Sequence, residues 1–192
     1  MTSGQHPAET RQWERFLFHC LHRHQSNCVR FFCLYHLCFS SRKQALSAVT
    51  RVVANSKEHP VLRGLALEQL ADHWYSFRTG RLGRRASRLV LSALRNPDAN
   101  IRFWACFAAA QMALVQARPI LKLMLNDPEV GSMGWTVGYE AGEALKKLSG
   151  QDAWLNDPAP LEHGYPSPWQ LGSNCQLLGE VTVGDGLQVK LR

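Results

Sequence analysis

The segment Asn96–Met112 constrains the fold more than any other, because it joins a helix-breaking turn to a helix that is apolar on almost every side. Pro97 cannot continue an incoming helix, and Asp98 and Asn100 are residue types that cap a new helix by accepting a bond from a free backbone N–H. Arg102 is the main charged interruption in the helix that follows. A helix of this composition must be covered on two faces, so the pattern predicts a helix in the middle of a stack.

The same order of turn, arginine and apolar helix recurs along the chain. It is found again at His59–Leu70, and Asn126–Val130 repeats the turn without the arginine before a longer loop. The prolines of the three turns, Pro60, Pro97 and Pro128, are 37 and 31 residues apart. A supersecondary unit that recurs at this interval predicts a stack of helix pairs, each burying the flank of its neighbour.

These turns resemble those of HEAT-like repeats, in particular the short bacterial repeats of the phycobilin-lyase (PBS-lyase) type. In that family an Asp/Asn-Pro turn is followed by a Val/Ile-Arg pair and an Ala-rich second helix. The resemblance is best at Asn96–Ala109, looser at His59–Leu70, and covers residues 42–150 in all. It implies an all-α fold, an α-α superhelix (HEAT-like solenoid) of three to four helix pairs. It implies little about activity, because such repeats serve many roles.

Composition divides the chain into three regions. Residues 1–40 contain two apolar helical stripes, which predict an N-terminal helical cap, and residues 41–150 hold the repeats. Residues 151–192 form a Pro/Gly-rich C-terminal extension, in which four prolines exclude regular helix over an irregular strap. The final residues alternate between apolar and polar around Gly184–Gly186, which predicts a β-hairpin at the end of the extension.

Within these regions, periodicity predicts the helices and their inward faces. The second helices are expected at Val61–Tyr75, Ile101–Val115 and Thr136–Ser149, with a loop at Ser76–Gly83 before the first helix Arg84–Arg95. In the N-terminal cap, the two inward stripes are Trp13, Phe16, Leu17, Cys20, Leu21 and His24, then Val29, Phe32, Cys33, His36 and Leu37.

The formal net charge of +7 is unevenly distributed. Residues 1–57 contain eight Lys/Arg and two Asp/Glu. Residues 58–119 contain nine Lys/Arg and four Asp/Glu, and residues from 120 onward contain five Lys/Arg and nine Asp/Glu. The basic part favours association with an acidic partner or nucleic acid, which is a statement about binding and not about fold.

Cysteine usage and hydropathy bear on the compartment. Six cysteines occur without a secretory signal pattern or a Cys-x-x-Cys pair, so we expect reduced thiols and a cytoplasmic protein. The most apolar run, Phe31–Phe39, is too short to cross a bilayer, and no membrane association is expected.

The N-terminal region holds enough donors for a zinc ion. However, its later cysteines are five residues apart, which does not match the paired spacings of structural zinc sites. Buried cysteine also behaves as a small apolar residue, so we expect neither a metal nor another cofactor. The donors are His19, Cys20, His22, His24, Cys28, Cys33, His36 and Cys38.

A basic ridge lies between residues 78 and 88 and consists of Arg78, Arg81, Arg84, Arg85 and Arg88. With a helix that begins near residue 82, most of these arginines project from one side, where they are placed to bind phosphates. The alternative is an ordinary solvated helix face.

Two tryptophans are candidates for a binding role. Some HEAT-like proteins are DNA glycosylases that use Trp and Asp in a concave groove, but no Asp here is placed beside a Trp in a basic groove. Trp104 belongs to the most apolar helix, where packing in the core is the expected role. Trp135 lies in the glycine-rich segment Gly131–Gly138, and its ring is a candidate to close the end of the stack.

The sequence contains no nucleophile elbow, phosphate loop or His-Glu-x-x-His motif, so we expect no enzyme. We expect a non-catalytic scaffold whose second helices line a concave face that docks another protein. Arg63 and Arg102, the matching turn arginines, are the first binding candidates; alternatively they stabilise the turns by bonding to Asp98 or to neighbouring carbonyls. Two other functions stay open: a lyase-type or glycosylase-type enzyme or subunit, and a nucleic-acid-binding module that uses the basic ridge.

Overall fold

A computed structural model of the chain describes residues 7–38, 43–131, 134–153, 179–183 and 187–191, with side chains over 12–37, 44–131 and 134–153. This part of the chain is mostly helical, as the turn and helix patterns predict. Most of the expected strap lies outside the described residues.

The helices are α1 (Pro7–Arg23), α2 (Asn27–Cys38), α3 (Lys43–Ala54), α4 (Pro60–Asp72), α5 (Trp74–Phe77), α6 (Gly80–Ala93), α7 (Ala99–Gln111), α8 (Arg118–Met124) and α9 (Val137–Leu148). A short 3₁₀ turn, Val115–Ala117, precedes α8. Two strands, β1 (Gly179–Val183) and β2 (Leu187–Leu191), pair antiparallel with Val181 opposite Val189. The residues that connect the two strands are outside the described part.

The helices pack in pairs, α1 with α2, α3 with α4, α6 with α7, and α8 with α9. We call the earlier member of each pair its first helix and the later member its second helix. The second helices contact one another in the order α2, α4, α7, α9. Helix α7 therefore lies between α4 and α9 and packs on α6, which confirms the burial predicted from its composition.

Local capping explains where the second helices begin. The Asp98 side chain accepts a hydrogen bond from Ile101 N at 3.1 Å, and Thr136 accepts one from Tyr139 N at 3.1 Å. Asn100 does not cap α7 as expected: it is buried, and its Nδ2 donates to the carbonyl oxygen of Pro60 at 3.1 Å. This bond joins the first turns of α4 and α7, since it crosses between the two helices near their N-termini.

A glycine allows α4 and α7 to approach closely. A Cβ atom added to Gly64 would lie 2.6 Å from Nδ2 of Asn100 and 2.6 Å from Cδ1 of Trp104. These distances are shorter than any ordinary van der Waals contact, so any larger residue at position 64 would push the two helices apart.

Two helix boundaries differ clearly from the sequence-based expectations. Helix α6 begins at Gly80 instead of Arg84, and the expected loop at 76–83 contains the end of α5 and the first turn of α6. Helix α7 ends at Gln111, because Ala113 adopts a left-handed φ of 52° and the chain turns away. Val115, expected as the last residue of this helix, is consequently 54% exposed.

The N-terminal pair shares one hydrophobic core with the other helix pairs. Phe16 and Leu21 of α1 are buried as predicted, whereas Trp13 is at the margin with 36% exposure. In α2, Phe31 and Leu34 are buried in addition to the expected stripe, while Phe32 is only half-buried. The wider buried surface of α2 follows from its contacts with three other helices, α1, α3 and α4.

Over the described ranges, no helix combines the length and the apolar character that crossing a membrane requires.

Candidate functional site

The guanidinium of Arg102 is held by groups of the protein itself. Its Nη1 donates to the carbonyl oxygens of Asn96 and Pro97 at 2.9 and 2.8 Å. Its Nε donates to Oδ2 of Asp127 at 3.0 Å, and its Nη2 donates to Oε2 of Glu129 at 3.1 Å. Burial lowers the pKa of Arg102, but the hydrogen bonds to the two acids outweigh burial and raise it. Arg102 thus binds the carbonyl oxygens of its own turn, as expected if the turn arginines stabilise the turns. It also binds two acids of the next turn, which the sequence did not predict.

Arg63 occupies the same position in α4. Its Nε donates to the carbonyl oxygen of Val53 at 3.3 Å, at the end of α3. Burial lowers the pKa of Arg63, and the charges of Asp98 and Glu58 oppose that effect. The turn acid Asp98 is therefore electrostatically coupled to Arg63 of the preceding pair.

A third arginine of this kind, Arg30 of α2, is not predicted by the turn motif. Its Nε donates to the carbonyl oxygen of Leu21 at 2.8 Å, and its Nη2 forms an ion pair with Glu58 in the next turn. The backbone N–H of each of these three arginines donates to the carbonyl oxygen of the residue four positions earlier, at the start of the helix. The accepting residues are Ser26, His59 and Asp98, respectively. We call Arg30, Arg63 and Arg102 the turn arginines.

A signal for Arg30 exists in the sequence, because it precedes Arg63 by 33 residues while Arg63 precedes Arg102 by 39. No proline marks its turn, so the motif used for the other two turns does not detect it. In α9 the equivalent position is Glu140, whose N–H donates to Thr136 O at 3.3 Å. The series of turn arginines therefore ends at α7 within the described part of the chain.

The basic ridge divides into two parts. Arg81, Arg84, Arg85 and Arg88 are exposed on α6, whereas Arg78 precedes the helix. The guanidinium carbon of Arg78 lies 5.4 Å from the ring centroid of Tyr75, a cation–π arrangement that separates it from the other four.

The two tryptophans have different surroundings. Trp135 is half-buried, packs against the core and makes a tilted contact with Tyr139, with ring centroids 5.8 Å apart. Trp135 follows Gly134 and precedes α9, so it belongs to neither α4 nor α7. Trp104 is also half-buried, and its ring meets Phe103 and Phe107 edge-on at 5.5 and 5.6 Å. Trp104 therefore reaches the surface of the second helices instead of being enclosed in the core.

We infer a groove along the line where α4 and α7 meet, from the spacing of the residues that border it and from the cavity at its C-terminal end. Because their first turns are joined and their last turns line one cavity, the two helices run parallel. On each helix, residues three or four apart share a face, and these faces border the contact at Gly64 and Trp104. The α4/α7 groove is defined by Gly64, Glu68 and Asp72 on α4 and by Trp104, Phe107 and Gln111 on α7.

Two carboxylates in the α4/α7 groove are electrostatically unusual. Burial, together with the negative charge of Asp72, raises the pKa of Glu68 to about 7. Burial also raises the pKa of Asp72, against the opposing charge of His73. Over the residues whose side chains are described, neither acid forms a hydrogen bond or ion pair. Among the residues with described side chains, the two acids of the groove are therefore not paired directly with a cation.

At its C-terminal end the groove opens into a cavity of about 410 Å³. Ala113, which has a left-handed φ, lines this cavity together with Asp72 of α4 and Lys147 of α9. Its lining combines an apolar floor with a few polar groups, which is typical of binding sites. The lining residues are Ala71, Asp72, Tyr75, Ala110, Gln111, Ala113, Val115, Lys147 and Leu148.

The cysteines and histidines of α1 and α2 whose side chains are described do not assemble into a metal site. No group of three His, Cys, Asp or Glu side chains over residues 12–37, 44–131 and 134–153 is placed to hold a metal ion. Cys20 and Cys33 are buried free thiols, and burial raises the pKa of each. Cys28 is disulfide-bonded, which differs from the expectation of reduced thiols.

A comparison of the chain with protein-family models, curated proteins and solved structures finds no match. The likeness of the turns to HEAT-like repeats therefore stays a prediction from the sequence.

Proposed function

We propose that the chain is a non-catalytic binding module, built as a HEAT-like α-α superhelix of four helix pairs and ending in a β-hairpin. In this proposal α1 and α2 form the first repeat of the stack and not a separate cap. A protein partner docks on the face of the second helices, in the α4/α7 groove. The cytoplasmic location stays a prediction from the sequence.

The observation that carries this proposal is the α4/α7 groove itself. It combines half-buried aromatic rings, Trp104 and Phe107, with the carboxylates of Glu68 and Asp72, which have no partner in the described part of the chain. Aromatic side chains beside a few polar groups are enriched at protein interfaces. The turn arginines, by contrast, are already bound within the protein, so we assign them to holding the stack together.

The charges of the groove indicate the chemistry of the partner. A carboxylate with a raised pKa gains most from an incoming cation, because the cation favours its ionised form. We therefore propose that the partner segment carries a Lys or Arg side chain that pairs with Glu68 or Asp72. Apolar side chains beside that cation would pack on Trp104 and Phe107.

The proposal is tested by affinity capture from a native cell extract, followed by mass spectrometry. Gln111→Arg places a cation in the groove, and Gln44→Arg makes the same change at an exposed site on α3. We expect specific partners to be retained by the wild type and by Gln44→Arg and lost by Gln111→Arg. Partners retained equally by both variants would contradict docking in the groove.

A second measurement addresses the charge of the partner. Asp72→Asn keeps the shape of the side chain but removes its charge, so captured partners should dissociate at lower salt from this variant than from the wild type. An unchanged salt sensitivity would show that no cation of the partner pairs with Asp72.

A further inference from the structure

The exposed side of α6 presents a continuous row of arginines, which we call the arginine stripe: Arg81, Arg84, Arg85 and Arg88. At about 100° per residue, these positions fall within an arc of roughly 100° around the helix axis. The buried residues of α6, Gly83, Ala86, Val90 and Ala93, occupy the opposite side. The stripe therefore faces away from the body of the protein, and Arg95 extends it just past the end of the helix.

Nothing in the described part of the protein neutralises the arginine stripe. None of its four guanidinium groups forms a hydrogen bond or ion pair there, in contrast to Arg63 and Arg102. Neither α6 nor α3, the first helix that packs against it, contains an Asp or Glu. Like charges three and four residues apart repel one another on a helix, so an external polyanion would stabilise this surface.

The surroundings of the stripe distinguish between classes of polyanion. A helix that lies on a membrane needs large apolar side chains beside its charges, but the exposed residues of α6 are Gly80, Ser92 and the arginines. Binding to single-stranded nucleic acid relies on aromatic side chains for base stacking, and α6 contains none. A duplex backbone requires neither feature, because its phosphates are regularly spaced on the outside of the helix.

We propose that the arginine stripe binds the phosphate backbone of a nucleic-acid duplex without reading its sequence. The stripe is about 10 Å long from Arg81 to Arg88, at ~1.5 Å per residue, and each guanidinium can grip a phosphate with two parallel N–H donors. This surface belongs to a first helix, whereas the α4/α7 groove lies on second helices. The same molecule can therefore hold a protein and a duplex at once.

The test measures binding of a fluorescent DNA duplex of mixed sequence by anisotropy over a range of salt concentrations. With three to four phosphates neutralised, the logarithm of the association constant should fall against the logarithm of salt concentration with a slope of about −3 to −4. Arg84→Gln/Arg88→Gln should weaken binding by about 10-fold or more and reduce that slope by about 2.

A matched control variant distinguishes DNA binding by the arginine stripe from binding that depends only on the net positive charge of the protein. Arg15→Gln/Arg23→Gln removes the same charge from exposed positions on α1 and should change the affinity by less than about 3-fold. Equal losses in both double variants would overturn the proposal, because the duplex would then respond only to net charge. Circular dichroism of each variant verifies that the helices are retained.

Two further binding measurements, with different polyanions, test which class of ligand the arginine stripe binds. Poly-glutamate and vesicles that contain phosphatidylserine carry negative charge without the regular phosphates of a duplex. Binding to either of them as tightly as to DNA would overturn the assignment to a duplex backbone. The groove variant Gln111→Arg should leave DNA binding intact, so a failure of the groove proposal and a failure of this one are distinguishable.

Discussion

Arg102 on α7 donates from Nε to Oδ2 of Asp127 at 3.0 Å, which ties the opening turn of one helix pair to the turn of the next pair. Arg30 makes the corresponding ion pair with Glu58, two pairs earlier in the chain. In both cases the arginine also binds a carbonyl oxygen on its N-terminal side. Arg30 therefore links the first helix pair to the second, and Arg102 links the third pair to the fourth, so the loss of either arginine should lower the stability of the protein.

Arg102→Ala should lower the free energy of unfolding by about 2–4 kcal/mol, because it leaves the largely buried Asp127 and two turn carbonyls without their donor. Urea unfolding followed by circular dichroism measures the change. Arg88→Ala, an exposed arginine of α6, is the control and should stay within ~0.5 kcal/mol of the wild type. Equal effects of the two substitutions would contradict the structural role of Arg102.

Arg30→Ala should destabilise all the packed helix pairs and not just α1 and α2, by roughly 2–4 kcal/mol in the same urea experiment. The reason is that Glu58, 9% exposed in the turn before α4, would lose its partner. A single cooperative transition is expected. A separate early transition for α1 and α2 would instead show that the N-terminal pair unfolds as an independent unit.

Gly64→Ala should cost about 1–3 kcal/mol, since the new methyl group would lie 2.6 Å from atoms of Asn100 and Trp104. Gly142→Ala in α9 is the matched change, because its Cβ meets only Cδ2 of Leu125 at 3.7 Å. That variant should be neutral or more stable by ~0.5–1 kcal/mol, as alanine is the better helix former. Thermal unfolding of both variants checks the difference.

Glu68 should make stability depend on pH. Its pKa is raised from 4.5 to about 7, so between these values the folded protein binds more protons than the unfolded chain. The contribution of protonated Glu68 to the free energy of unfolding is fully present below pH 4.5, and it is lost as the pH rises towards 7. Glu68→Gln should therefore match the wild type near pH 4 and exceed its stability by roughly 1–3 kcal/mol at pH 8. A constant difference across this range would contradict the raised pKa.

Cys20, Cys33 and Cys106 should resist alkylation in the folded protein, because burial raises the pKa of each thiol and keeps it protonated. Iodoacetamide treatment followed by peptide mass spectrometry should label these three residues only after denaturation. Rapid labelling of Cys20 or Cys33 in the native state would indicate that α1 and α2 separate in solution.

The local elements of this fold were predictable because their signals lie within a few residues of one another. Pro97 and Asp98 end one helix and cap the next through their own backbone geometry and a bond to Ile101 N. Errors arose where a neighbouring element supplied the signal. Asn100 has the composition of a cap, but α4 offers the carbonyl of Pro60, and the side chain turns to that acceptor instead.

The candidate site was less predictable than the fold. The exposure of Arg81, Arg84, Arg85 and Arg88 was anticipated from helical spacing, although the start of α6 was not. The α4/α7 groove was not anticipated residue by residue, because Glu68 looks like an ordinary surface acid in the sequence. Its unusual pKa depends on how much solvent the packed helices remove, which periodicity does not encode.

By itself the sequence determined where most of the helical segments lie, that Asp98 caps the helix Ala99–Gln111, and that this helix must be covered on several sides. Those properties follow from backbone sterics and hydrophobic spacing over about one or two turns of chain. Only the tertiary structure decided that Arg30 meets Glu58, that Arg102 meets Asp127, and that Gly64 admits the ring of Trp104. Such pairings join residues 25 to 40 positions apart, and the physical reason is the offset at which one helix pair packs on the next.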